Sequence, residues 1–131
     1  MILLDTHILV RWVDPQAKPL PPSLVDYIEQ ADARAVSAIT CWEIAWLVRK
    51  DRLQLGTDLN SWLDEALAGS GVRCLPIDRP IATLSANLTL HHRDPADRLI
   101  IATACIHDLG LVSLDSQFSD YVELAGRLVS N

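Results

Sequence analysis

The sequence predicts an α/β fold, a three-layer α/β/α arrangement with a central, mostly parallel sheet. Short apolar segments alternate along the chain with longer segments in which apolar residues recur at helical spacing. Strands that alternate with helices build parallel sheets covered on both faces. The chain has 131 residues, half of them hydrophobic, which suits a single domain over residues 1–131.

The first half of the chain predicts two strand–helix units. A buried strand over residues 1–4 delivers Asp5 at its carboxyl end, and residues 8–13 are helical. Residues 14–22 hold four of the seven prolines and predict a loop. Ser23 is then expected to cap a helix that ends near Asp32, and its buried face is expected to comprise Leu24, Tyr27, Ile28 and Ala31.

A second strand over residues 35–37 precedes a longer helix over residues 38–50, whose apolar residues are too many for one narrow stripe. A helix over 59–67 ends at the break Gly69-Ser70-Gly71, and residues 72–77 form a third strand. Helices over 80–90 and 95–107 follow. The stop at residues 108–110 precedes a last strand over 111–114.

Composition excludes several classes of protein. No apolar run approaches the ~20 residues that cross a bilayer, so we expect a soluble protein with no membrane contact. The N-terminus lacks the basic and apolar regions of a secretory signal, which favours the cytoplasm. The net charge of −6 argues against nucleic-acid binding by bulk charge alone. Three cysteines, Cys41, Cys74 and Cys105, predict reduced core thiols.

Four acids from distant parts of the sequence are expected to meet at one edge of the sheet. Asp5 and Asp115 each follow a predicted strand, and ligands of parallel sheets bind beyond these carboxyl ends. Asp97 lies in the first turn of a helix, and Glu43 lies one or two turns into another. Carboxylates without a neighbouring His/Cys cluster favour Mg²⁺ or Mn²⁺ over zinc.

Each acid also has a purely structural interpretation. Asp5 can cap the first helix, and Thr40 with Glu43 fits a capping box. Asp94 before Pro95 has the pattern of an N-cap with proline at the first helical position. Asp115 can form an Asx turn with Gln117. Four acids at one edge nevertheless repel one another unless a cation lies among them.

Other patterns are less informative. The pair His91-His92 fits a loop better than a zinc site, and Cys41 lacks the partners of a catalytic thiol. The glycines at 69 and 71 do not have dinucleotide-binding spacing. Trp42 and Trp46, at positions i and i+4, predict either core packing or an apolar groove for a partner helix.

Four segments together resemble a PIN-domain ribonuclease, and most closely the VapC-like toxins of bacterial type II toxin–antitoxin pairs. They are Leu-Leu-Asp-Thr-His at 3–7, Val-Ser-Ala-Ile-Thr-Cys-Trp-Glu-Ile-Ala at 36–45, His-His-Arg-Asp-Pro-Ala-Asp-Arg from 91, and Leu-Val-Ser-Leu-Asp at 111–115. The resemblance implies metal binding and catalysis by Asp5, Glu43, Asp97 and Asp115. It adds Asp94 and Ser113 as outer ligands.

The resemblance also implies partners: an RNA substrate, a cognate antitoxin protein and a second copy in a homodimer. Arg49, Arg93 and Arg98 are expected to contact phosphates. Leu47 stands where similar sequences often carry lysine, and Arg49, Lys50 or Arg52 can replace that cation.

Two other functions fit parts of the pattern. One is a catalytically silent binding module on a PIN-like fold. The other is a phosphotransfer domain with Asp5 as nucleophile, which His7 disfavours because it occupies the place of a second acid.

Overall fold

The computed structural model describes residues 1–89 and 94–130. The strands are β1 (Ile2–Leu4), β2 (Arg34–Ser37), β3 (Val72–Leu75), β4 (Gly110–Val112) and β5 (Leu128–Val129). The helices are α1 (Thr6–Val13), α2 (Pro22–Gln30), α3 (Ala38–Arg49), α4 (Leu59–Ala66), α5 (Arg79–Asn87) and α6 (Pro95–Ile106). Three short 3₁₀ turns complete the described fold.

The five strands form one parallel sheet in the order β3-β2-β1-β4-β5. The chain builds outward from β1 to β3 on one side and then crosses to β4 on the other. The order therefore reverses between β1 and β4, where ligands of open parallel sheets bind. The last pairs of these two strands are Leu3 with Leu111 and Leu4 with Val112.

Both faces of the sheet are covered, which confirms the predicted three-layer fold. Successive strand residues point to opposite faces, so Leu3 packs with Ile100 and Phe118 in one core. Leu4 belongs to the other core with Ile28 and Ile44. No helix in the described parts of the chain has the length and apolarity needed to cross a membrane.

Several predicted boundaries are wrong. The cap position before α2 is Pro21, not Ser23, and Pro22 is the first helical residue because its fixed φ suits that position. Tyr27 is 41% exposed and not part of the buried face. The strands over 72–77 and 111–114 are shorter than predicted, and α5 ends at Asn87.

The predicted capping box at Thr40 is also wrong. Ser37 caps α3, with its hydroxyl accepting from the Ile39 N–H at 3.3 Å. Cys74 lies exposed on the edge strand β3, against the prediction of a core thiol. Burial is partial for the other two thiols, and all three are free.

Candidate active site

A cleft of about 240 Å³ opens beside the carboxyl ends of β1 and β4. The four acids predicted as site residues all line this cleft: Asp5, Glu43, Asp97 and Asp115. They come from four separate elements of the chain. The remaining lining residues include Thr6, His7, Arg11, Leu47, Arg52 and Leu53.

Asp5 is held in place by three neighbours. It follows β1 directly, caps α1 and is only 4% exposed. Its Oδ1 accepts from the Thr6 N–H at 2.8 Å, and its Oδ2 accepts from the Ser113 hydroxyl at 2.7 Å. Nδ1 of His7 lies 3.2 Å from the same Oδ2. The predicted cap is confirmed, and the same carboxylate reaches the cleft.

Glu43 reaches the cleft from the second turn of α3. Its Oε1 accepts a 2.5 Å hydrogen bond from the Thr6 hydroxyl, which also lies 2.9 Å from the Thr40 hydroxyl. Burial raises the pKa of Glu43, and the charges of Asp5 and Asp94 add to that shift. The hydrogen bond from Thr6 opposes it by lowering the pKa.

The pKa of Asp97 responds to its burial and to the neighbouring carboxylates. Burial raises its pKa to about 8, and repulsion from Asp94, Asp5, Glu43 and Asp115 contributes in that order. Repulsion of this kind requires that each of the four carboxylates lies near Asp97. The electrostatics therefore support convergence of the predicted acids on one cleft.

Asp115 and Asp94 combine a cap with a place near the cleft. Oδ1 of Asp115 accepts from the Gln117 N–H at 2.9 Å, as the Asx turn predicts. Asp94 caps α6, where its Oδ1 accepts from the Ala96 N–H at 2.9 Å. Asp115 and Asp94 can therefore cap a turn or a helix and still lie near the other acids.

The donor set fits a hard divalent cation. Its charged groups are all carboxylates, and oxygen ligands suit Mg²⁺ or Mn²⁺. Burial and, after it, repulsion from neighbouring carboxylates raise the pKa of Asp97, and such an ion would relieve that repulsion. Within residues 1–89 and 94–130, the acids are not gathered closely enough to make a finished ligand cage.

Three polar residues of the site were missed by the sequence reasoning: Thr6, His7 and Thr40. Each is placed by a contact between distant segments, such as the 37-residue separation of Thr6 and Glu43. Thr6 and His7 directly follow an acid at a predicted strand end. Only this position next to Asp5 could have indicated from the sequence that Thr6 and His7 belong to the site.

The predicted phosphate contact by Arg98 is wrong. Arg98 is 7% exposed, and its guanidinium donates to the main-chain carbonyls of Ser85, Leu88 and Thr89 at 2.8–3.2 Å. It therefore caps the end of α5, where helix carbonyls lack partners. Arg93 and the pair His91-His92 lie outside the described residues.

Among the cations proposed to replace a lysine at Leu47, Arg52 lines the cleft. Lys50 instead lies over the ring of Trp46, with its Nζ 4.7 Å from the ring centroid. Arg49 is exposed at the end of α3. Arg11 also borders the cleft, but its guanidinium donates to the carbonyls of Lys18 and Pro19.

An apolar groove adjoins the cleft. The rings of Trp42 and Trp46 stack at 5.5 Å between centroids and remain 54% and 44% exposed. They border a cavity of about 560 Å³ that also involves Ile39, Leu47, Pro95 and Ala96. Glu43 borders both cavities. The exposure of both tryptophans excludes packing in the core of this chain, and a partner helix in the groove stays a prediction.

Comparison with known proteins agrees with this geometry. The PIN domain family model matches residues 2–124. Ribonuclease VapC22 of Mycobacterium tuberculosis is 37% identical over 122 residues, covering 92% of this chain and 91% of its own.

Solved structures give the same fold. VapBC2 from Rickettsia felis, bound to a DNA fragment from its promoter, has a TM-score of 0.73 at 21% identity, with 98% of each chain covered. FitAcB from Neisseria gonorrhoeae has a TM-score of 0.68 at 25% identity, covering 99% of this chain and 97% of its own. The chain belongs to the PIN-domain family.

Proposed function

We propose that this protein is a metal-dependent endoribonuclease that acts as the toxin of a type II toxin–antitoxin pair. The observation that carries the proposal is the convergence of Asp5, Glu43, Asp97 and Asp115 on one cleft at the point where the strand order reverses. The similarity to a relative named as a ribonuclease supports RNA as the substrate.

Asp5, Glu43, Asp97 and Asp115 are the residues that would hold Mg²⁺ or Mn²⁺. When bound, such ions lower the pKa of a water molecule and stabilise charge on the phosphate and the leaving oxygen. Asp5 is fixed by Thr6, His7 and Ser113, so it needs little rearrangement to bind an ion. Hydrolysis then leaves a 5′-phosphate on one product.

The net charge of −6 requires a local source of positive charge for RNA binding. Divalent ions held by the four acids would supply part of it, because each would add two positive charges at the cleft. Two described arginines border the cleft, and Arg52 is the one proposed to contact a flanking phosphate, because the guanidinium of Arg11 donates to main-chain carbonyls.

The proposal is tested by incubating RNA with the purified protein and Mn²⁺ or Mg²⁺, with and without a chelator. We expect cleavage that disappears on chelation and in Asp97→Asn, with 5′-phosphate ends on the products. A folded protein that binds RNA but never cleaves it under any of these conditions would instead support the silent binding module.

The apolar groove supports an antitoxin as partner. One solved structure with this fold is a toxin–antitoxin complex from Klebsiella pneumoniae. An amphipathic helix seated on Trp42 and Trp46 would lie next to Glu43, and a basic residue beyond it would reach the acids. We further propose that the protein acts in the cytoplasm, in keeping with its similarity to a VapC ribonuclease. We also propose that it forms a homodimer, since exposed apolar side chains favour self-association.

A further inference from the structure

The imidazole of His7 contacts both chain segments that carry strand-end acids. Its Nδ1 lies 3.2 Å from Oδ2 of Asp5, and its Nε2 accepts a 3.2 Å hydrogen bond from the Leu114 N–H. Leu114 immediately precedes Asp115. One side chain in the first turn of α1 therefore joins the residues after β1 to the residues after β4.

The main-chain pairing of these strands ends at Asp5. Its last bond runs from the Asp5 N–H to the Val112 carbonyl at 3.0 Å. Beyond that bond, Ser113 and His7 hold the two segments together through their side chains. The Ser113 hydroxyl donates to Asp5 and accepts from the Asp115 N–H at 3.0 Å. His7, from the first turn of α1, makes a second side-chain link between the same two segments.

The contacts of His7 specify its tautomer. Because Nε2 accepts from a main-chain N–H, it has no proton, and the neutral ring carries its hydrogen on Nδ1. The atom Nδ1 that carries it lies 3.2 Å from Oδ2 of Asp5. The imidazole therefore lies in contact with the Asp5 carboxylate, as the outer partners that orient metal-binding carboxylates do.

We propose that His7 is a positioning residue that sets the spacing between Asp5 and Asp115. This inference rests on the proposed function, in which both acids bind an ion. The side chain of His7 is 37% exposed and borders the cleft. Its two polar contacts therefore orient a side chain that is only partly buried.

Two measurements without RNA test the role. The first is the ¹⁵N spectrum of the imidazoles at pH 8, with resonances assigned by comparison with His7→Asn. We expect the ring of His7 to carry its hydrogen on Nδ1. A hydrogen on Nε2 would overturn the assignment, because Nε2 then accepts nothing from Leu114.

The second measurement is Mn²⁺ binding by calorimetry. His7→Ala is expected to weaken Mn²⁺ affinity by about 10- to 100-fold, the range typical of lost outer partners. His7→Asn keeps an N–H near the position of Nδ1 and is expected to regain part of the affinity. His107→Ala, at the far end of α6, serves as control and should bind as wild type does.

The outcomes separate this inference from the proposed function. Wild-type affinity in a folded His7→Ala variant would refute the positioning role. Mn²⁺ binding without RNA cleavage in the wild type would refute the nuclease but leave the His7 comparison intact. Absence of Mn²⁺ binding in the wild type would refute the metal site, and the imidazole spectrum would still decide whether His7 makes both contacts.

Discussion

The hydroxyl of Thr6 donates a 2.5 Å hydrogen bond to Oε1 of Glu43 and thereby links the start of α1 to the second turn of α3. The same hydroxyl lies 2.9 Å from that of Thr40. Since a hydroxyl has one hydrogen to donate, Thr6 gives its own to Glu43 and accepts from Thr40. A chain of two threonines therefore stabilises the charged form of Glu43.

Replacing Thr6 by valine tests this chain. Thr6→Val keeps the branched shape but removes the donor, so the pKa of Glu43 should rise further. We expect RNA cleavage to fall by about 10-fold or more, with the largest loss at low pH, where more Glu43 is protonated. Steady-state rates across pH 6–9 measure this. Thr6→Ser retains the hydroxyl and should stay close to wild type.

The raised pKa of Asp97 predicts how stability changes with pH without metal. Its pKa is about 8 in the folded protein against an ordinary value of 3.8. Between these values the folded state binds more protons than the unfolded state, so the free energy of unfolding falls as pH rises. Melting in a chelator should show a lower midpoint at pH 8 than at pH 5.5.

Asp97→Asn should remove much of this slope, because the amide does not ionise and keeps nearly the same volume. We expect the variant to melt above the wild type at pH 8 in chelator while cleavage is abolished. Asp120→Asn, on an exposed turn away from the cleft, is the matched control. An equal slope in all three proteins would contradict the role of Asp97 in it.

Divalent ions should reverse the destabilisation at pH 8. An ion that binds only the folded protein stabilises it by about 2.7 kcal/mol at 100 times its dissociation constant. Mn²⁺ should therefore raise the melting midpoint of the wild type more at pH 8 than at pH 6, where protons compete for Asp97. Asp5→Asn should show a much smaller shift, and an equal shift would contradict Asp5 as a ligand.

Arg98 and Arg52 should have different roles, the first in stability and the second in RNA binding. Arg98→Ala removes the cap from the carbonyls at the end of α5 and should cost about 2–4 kcal/mol of stability. Arg52→Gln changes a side chain that borders the cleft and should raise the KM for RNA with little change in stability. Chemical denaturation and cleavage kinetics on both variants separate the two roles.

The fold was largely predictable because its signals are local. The apolar runs around Leu3, Val36 and Leu111 fill the two cores as expected. The strand β5 has only two residues, too few to show a period, and pairing with β4 alone determines it. Tyr27 has the helical spacing of a core residue but lies exposed, because spacing does not show how far the partner layer extends.

The acids were predictable as a set because strand ends pointed to Asp5 and Asp115, and the family resemblance added Glu43 and Asp97 on their helices. Among their outer partners, Ser113 was expected from the resemblance and contacts Asp5. Thr6 and His7 were not expected, since the contact of His7 with Leu114 spans 107 residues. Arg98 was misassigned for the same reason. A charged residue in the first turns of α6 suggests a surface role, and the carbonyls that it caps belong to another helix.

The last prediction concerns the groove beside the cleft. Trp42 and Trp46 are stacked and about half exposed. The ammonium group of Lys50 lies over the ring of Trp46. Large aromatic side chains in such places often contribute 2 kcal/mol or more to binding, so Trp42→Ala should weaken a cognate antitoxin by about 30-fold. Calorimetry with a purified cognate antitoxin measures the affinity.

The control is Ile106→Ala, whose side chain is 43% exposed, close to the exposure of Trp46, but lies at the opposite end of α6 from the groove. Its affinity for the antitoxin should match that of the wild type. Replacing the antitoxin's basic residue should restore RNA cleavage while binding on the groove persists, because that residue competes with ions for the acids. If Trp42→Ala bound the antitoxin as tightly as the wild type does, the antitoxin would bind outside the groove. If the wild-type complex cleaved RNA at the full rate, the antitoxin would not occlude the active site.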